Sequence, residues 1–154
     1  MNILEESNLN ITDNILVALK PVKLNKLFFN YKTFIMTTKE IADKLVEICR
    51  SGDFEKAQAE LFAEDAVSLE QEASPAFEKE TKGLPAIKEK AQKWESMVKE
   101  MHGITVSEAL IAGNSFAITM RLDVTMKEGG HMDMTELCVY KTKDGKIISE
   151  EFFM

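Results

Sequence analysis

Apolar positions along this chain change their period near His102-Gly103: before it they recur at helical spacing, and after it they alternate. The pattern therefore predicts helices first and strands afterwards. Thr37-Thr38-Lys39-Glu40 is a capping box, in which a threonine oxygen takes an orphan amide and Glu40 reaches back. Ile41, Leu45, Ile48 and Cys49 follow as one apolar stripe. Ser51-Gly52-Asp53 stops that helix and caps the next, since Gly52 suits a left-handed position and Asp53 an N-cap. Phe54, Ala57, Leu61 and Phe62 give the second helix its buried side. Gly83-Leu84-Pro85 opens a third, with Pro85 in its first turn. Its stripe is Ile87, Ala91, Trp94, Val98 and Met101, and Lys88, Glu89, Lys90 and Lys93 are expected to face water.

Ala66–Glu72 reads as a short strand with Val67, Leu69 and Gln71 on one face and Ser68, Glu70 and Glu72 on the other. Ala73–Lys82 is expected as a loop around Ser74-Pro75. Ile104–Ile111 is expected as one strand, and Ser115–Met126 alternates most clearly. Phe116, Ile118, Met120, Leu122, Val124 and Met126 form its apolar face, so the sheet is covered on one side. Gly130–Met154 reads as a hairpin turning at Asp144-Gly145, because a type I′ turn needs positive φ at both central residues. Three helices, an early short strand and a run of antiparallel strands make an α+β protein, with helices packed on one face of a curved sheet.

Glu136 stands out within that hairpin, as a carboxylate between Met134 and Cys138 on one strand face. With a two-residue turn, Lys143 faces Lys146 and Cys138 lies opposite Glu151, making Glu136 and Glu151 diagonal neighbours. Two carboxylates on a partly desolvated face cannot both ionise cheaply, so one pKa should rise. A raised carboxyl can donate a proton near neutral pH. The other reading is a strand tie, with Glu136 paired to Arg121, His131 or a lysine. His131 follows two glycines at a strand mouth, where a proton shuttle could sit. Glu108 interrupts the face of Ile104, Val106 and Leu110. Trp94 can be a core anchor or a stacking platform, and Met120 and Met134 can fill the core or line an adaptable pocket.

Composition narrows the partners. The chain carries 19 Lys+Arg against 26 Asp+Glu, a net charge of −7, and only Arg50 and Arg121 are arginine. An acidic chain this poor in arginine is not expected to bind nucleic acid. Its longest apolar run in the first 35 residues, Ile15–Leu19, is too short to span a bilayer, and no membrane association is expected. Residues 1–35 read as a poorly ordered extension or as leader translated upstream of Met36. The second is favoured, because a capped helix starts directly after Met36. Cys49 and Cys138 sit in apolar patterns and are expected as buried thiols, which fits a cytoplasmic location. His102 and His131 lack metal-ligand spacing, and no phosphate loop or nucleophile elbow appears, so neither metal nor other cofactor is expected.

Four stretches carry a family resemblance: Leu45–Glu55 (LVEICRSGDFE), Leu61–Glu70 (LFAEDAVSLE), Thr81–Ile87 (TKGLPAI) and Tyr140–Phe153 (YKTKDGKIISEEFF). With this element order, residues 36–154 resemble the SnoaL-like and ketosteroid-isomerase-like proteins of the nuclear transport factor two superfamily. The resemblance implies a cone-shaped, cystatin-like α+β barrel with a small-molecule pocket at its open end, often in a homodimer. Matched to ketosteroid isomerases, Glu70 falls at the general-base aspartate and Glu136 at the protonated oxyanion aspartate. The oxyanion tyrosine is matched by Leu45, so steroid-type isomerisation lacks a principal donor. The expected function is binding of a small, apolar carbonyl compound, with Glu70 as base and Glu136 as acid in an isomerisation, cyclisation or hydration. The alternative is a non-catalytic dimeric module that binds a ligand or a protein.

Overall fold

The computed structural model describes residues 35–154, and its first helix, α1 (Thr38–Arg50), begins where the capping box requires. The Thr37 hydroxyl accepts from the Glu40 amide at 3.3 Å, and the Glu40 carboxylate accepts from the Thr37 amide at 2.7 Å. Gly52 takes the left-handed φ of 77° that ends the helix. Asp53 then caps α2 (Phe54–Leu61), accepting from the Lys56 amide at 3.1 Å. The extension-or-leader reading concerns residues 1–35, of which 1–34 lie outside the described residues.

Phe62 does not close the second helix as expected but opens β1 (Phe62–Glu70). The polypeptide turns straight from helix to strand there, four residues earlier than the alternation suggests. The end of the expected loop is a strand instead: β2 (Glu80–Lys82) pairs antiparallel with β1, and α3 (Leu84–Met97) follows, with Pro85 in its first turn. Val98 and Met101 are not its last stripe positions. They belong to β3 (Val98–Val106), whose backbone pairs with β5 across two bulges. Ladder hydrogen bonds outweigh a helical pattern that was weak at that end. The expected strand Ile104–Ile111 is correspondingly divided between β3 and β4 (Leu110–Ala112).

β5 (Ser115–Met126), β6 (His131–Lys143) and β7 (Lys146–Phe153) match the predicted strands closely. The sheet order is β2-β1-β7-β6-β5-β3, with β4 on β5, and only the β1–β7 pair is parallel. Three helices cover one face of this open, curved sheet, which is the α+β arrangement expected. Leu61, Ile87, Phe116, Ile118 and Ile147 are fully buried between the layers, each contributing about 1.5–3 kcal/mol of burial free energy.

The inward faces position the site. β5 turns Phe116, Ile118, Met120 and Leu122 inward, and β6 sends in Met134, Glu136, Cys138 and Tyr140. On β1 the apolar rule inverts: Ser68 is buried, and Val67 and Leu69 belong to the other face. A sheet turns polar residues inward only where they have partners, because an unpaired buried polar group is costly.

Candidate functional site

Helices and sheet line an open-mouthed cavity of about 160 Å³. Its inner carboxyls come from three neighbouring strands and can be laid out as rows. Glu70 of β1, Phe152 of β7 and Cys138 of β6 lie side by side. In the next row stand Ser68, Glu150 and Tyr140. One step beyond Cys138 on β6 is Glu136, opposite Met120 of β5. Glu70, Glu136 and Glu150 all line the cavity, while Glu95 sits on its exposed rim.

Lys90 is the one basic side chain among the lining residues. Its ammonium lies 2.5 Å from the Glu70 carboxylate, donates to Ser68 Oγ at 2.8 Å, and stands 5.1 Å from the centre of the Phe152 ring. One cation therefore serves a pocket containing three inner carboxyls, and two of these lack a full countercharge. Burial pushes the Glu136 carboxyl up to about 7; Cys138 hydrogen bonding opposes the shift, Glu70 adds to it, and Lys90 opposes it. Burial likewise pushes Glu150 up to about 7, against a hydrogen bond from Ser68 and the charge of Lys90. The charges of Glu70 and Glu136 add to that rise, so protonating Glu136 eases the ionisation of Glu150. Such a cluster can donate and accept protons near neutral pH.

The thiols cannot play that part. Burial, helped by Glu150, pushes Cys49 up to about 12, and burial pushes Cys138 higher still. Both are free and buried, hence inert as nucleophiles at neutral pH. Tyr140 is buried with its ring stacked 4.9 Å from that of Phe116, and burial raises its hydroxyl well above the ordinary value. Among the described residues, no group of three His, Cys, Asp or Glu side chains is placed to hold a metal ion.

Glu70, Glu136, Trp94, Met120 and Met134 are thus brought together on one cavity, and His131 and Glu151 are not. His131 is exposed on the outer face, with Nε2 2.8 Å from Asp123 Oδ1. Glu108 is also outside, paired with Arg50 at 2.7 Å. For Glu151 the expected register needs correcting. Lys143 does face Lys146, but a bulge between Lys141 and Thr142 leaves Ile148 as an extra residue on β7. Past the bulge every β7 residue shifts by one, so Glu151 faces Val139 and Glu150 faces Tyr140. Glu150 takes the inner place and is 6% exposed.

Lys90 also departs from expectation, since it faces the cavity rather than water. The sequence held a signal for this. Lys90 lies three residues after Ile87 and four before Trp94, on the apolar stripe itself. Its methylenes cover apolar surface while the ammonium reaches the carboxyls.

Residues 36–154 match the SnoaL-like domain family. A solved structure from Mesorhizobium loti, provisionally named a SnoaL-like polyketide cyclase and also labelled a carbohydrate phosphatase, is 33% identical. It covers 77% of this chain and 100% of its own, with a TM-score of 0.72. A cystatin-like protein of unknown function from Xanthomonas campestris is 18% identical over 77% of this chain and 90% of its own, at a TM-score of 0.66. An NTF2-like protein of unknown function from Burkholderia pseudomallei is 14% identical over 77% and 92%, at 0.62. These two share the fold. No curated protein matches the chain.

Proposed function

Because this chain belongs to the SnoaL-like domain family, we propose that it is an acid–base catalyst of the isomerase or cyclase type, acting on a small cyclic carbonyl compound. The observation that carries the reading is the set Glu70, Glu136 and Glu150 around the single ammonium of Lys90 in a largely apolar cavity. Glu70 acts as the base and Glu136, protonated below about 7, as the acid. Glu70 takes an α-proton while the C–H electron pair becomes a C=C bond. The carbonyl oxygen takes the Glu136 proton, which gives a neutral enol. In a β,γ-unsaturated compound the enol is a dienol, and return of the proton to its γ-carbon isomerises the compound. Alternatively, attack of the enol carbon on a second carbonyl closes a ring, with the enol O–H proton returning to Glu136 and the Glu70 proton passing to the new alkoxide. Both routes conserve electrons.

Size and charge support a neutral, ring-sized ligand. A dry cavity of about 150 Å³ accepts benzene, and the present one is about 160 Å³. The Mesorhizobium relative's second label does not transfer as well, because three carboxyls beside one ammonium would repel a phosphate dianion.

Proton–deuterium exchange at the α-carbons of cyclohexanone in D2O, followed by NMR, tests the reading. Wild-type protein should accelerate exchange, with Glu70→Gln lowering the protein-catalysed rate about 10²-fold or more. Glu136→Gln should lower it at least about tenfold and remove its pH dependence near neutrality. Exchange no faster than buffer, or equal in all three proteins, would refute it. Cyclohexanone binding without exchange would instead favour a non-catalytic ligand-binding module, for which the apolar lining of Met120, Met134 and Phe152 is suited.

A further inference from the structure

The segment between β1 and β2, Gln71–Lys79, is tied at its base and lightly held at its tip. The Glu70 amide donates to the Lys79 carbonyl at 2.9 Å, which joins the two ends of the segment. Gln71 Oε1, also at the base, accepts from the Met154 amide at 3.4 Å. At the tip the Ser74 amide donates to the Phe77 carbonyl at 2.8 Å, and Ser74 Oγ accepts from the Ala76 and Phe77 amides at 3.2 and 3.0 Å. Ser74–Phe77 is therefore bonded to itself, and Pro75 stiffens it. A surface loop with joined ends and its own internal packing is an Ω-loop, a form that often serves function. Its residues are exposed except Ala76 and Phe77, which are half-buried. Phe77 alone of the segment lines the cavity. The one hydrogen bond between this tip and the rest of the described residues comes from Lys93 of α3. Its ammonium donates to the Ala76 carbonyl and stands 5.5 Å from the centre of the Phe77 ring.

We propose that Gln71–Lys79 is a lid on the cavity, closed by the Phe77 ring and latched to α3 by Lys93, and that ligands enter and leave when the latch releases. A segment this exposed, with so few buried apolar contacts, belongs to the low-stability end of a fold. The latch is a single exposed ammonium, and its hydrogen bond and cation–π contact are each modest in water. Breaking it leaves the base bond and the internal turn intact, so the tip moves as a unit on Gln71–Ala73 and Glu78–Lys79. Closed, the lid sets an aromatic ring against the occupant of the cavity and narrows the path of water to it. The device is independent of the reaction proposed above, since it serves any compound that the cavity takes.

Two measurements on the full chain, both without ligand, test the lid. Chymotrypsin cleaves after phenylalanine and reaches the Phe77–Glu78 bond only when the ring leaves the cavity, so the cleavage rate follows the open population. In Lys93→Met that rate, mapped by mass spectrometry, should rise about 3–10-fold, the range of one net hydrogen bond. Cleavage after Phe116, which is buried in the core, should not rise with it. The second measurement uses Trp94, the chain's only tryptophan, which lines the same cavity. Acrylamide, a neutral quencher indifferent to the lost charge, should quench Trp94 emission more strongly in Lys93→Met than in wild type. Gln92→Met, at an exposed neighbouring position of α3, should change neither result. Four results would each overturn the proposal. They are an unchanged cleavage rate after Phe77 in Lys93→Met, an equal rise after Phe116, an equal rise in Gln92→Met, or faster cleavage with unchanged quenching.

Discussion

Lys90 decides the electrostatics of the cavity. It lies close to Glu70, bonds Ser68 and moderates both raised carboxyls, while its own side chain is only 14% exposed. Removing one partner of a buried ion pair leaves an uncompensated charge, which costs more than the pair itself contributes. Lys90→Met should therefore destabilise the protein by about 2–4 kcal/mol at pH 8. At pH 5.5 the loss should shrink, because Glu136 and Glu150 are then protonated and need no countercharge. Urea unfolding at the two pH values measures both numbers. Equal losses at the two pH values would mean that the carboxyls are solvated independently of Lys90. At this scale the sequence was partly legible. Glu70 and Glu136 stood out as charges on strand faces, whereas Lys90, although spaced with a helical stripe, was expected to face water. That these helical and strand residues meet is a long-range fact, which no local pattern encodes.

The β6–β7 hairpin shows the same division within one element. Its turn is local and could be read directly, because Asp144 at φ 51° and Gly145 at φ 78° take the conformations that Asp-Gly favours. Gly145 has a second constraint: a Cβ there would lie 2.8 Å from Ile35 Cγ2 and 3.1 Å from the Met36 amide nitrogen. Gly145→Ala combines a positive φ with this close approach and should destabilise by about 1–3 kcal/mol, measured by thermal or urea unfolding. A change within experimental error would mean that the Ile35–Met36 segment yields without cost. The bulge at Ile148 was not legible in the same way. Apolar alternation continues plausibly in either phase there, so the choice between Glu150 and Glu151 depends on packing against β1 and β6.

Across the whole molecule, the buried carboxyls link folding to protons. Glu136 and Glu150 rise from 4.5 to about 7 on folding. The folded state thus binds more protons than the unfolded chain between those values. Their contribution to stability is full below about 4.5 and is lost as pH rises through about 7. The melting temperature should accordingly fall by several degrees from pH 5.5 to pH 8. Repulsion within a chain of net charge −7 acts in the same direction, so the diagnostic result is the variant. Glu150→Gln should flatten the slope, whereas the exposed Glu55→Gln should not. Matching slopes in the two would show that Glu150 already has its full countercharge. Carboxyls held below their usual value, such as Glu40 beside Thr37 and Asp123 beside His131, act in the opposite sense at lower pH.

The sequence by itself determined the order of three helices and then strands, the α+β class, the caps at Thr37 and Asp53, and the Asp-Gly turn. Each of these depends on neighbours within a few residues, where periodicity and turn chemistry operate. It also supplied Glu70 and Glu136 as candidates, since a carboxylate on a strand face is visible without knowing the fold. Only the tertiary structure turned the polar face of β1 inward, divided the helix from the strand at Val98, and moved Glu150 into the cavity in place of Glu151. It also placed His131 on the outer face and Lys90 among the carboxyls. These outcomes depend on how strands far apart in the chain register with one another. A single bulge reverses which side chains face inward, and the pairing energy that sets it is spread over several strands.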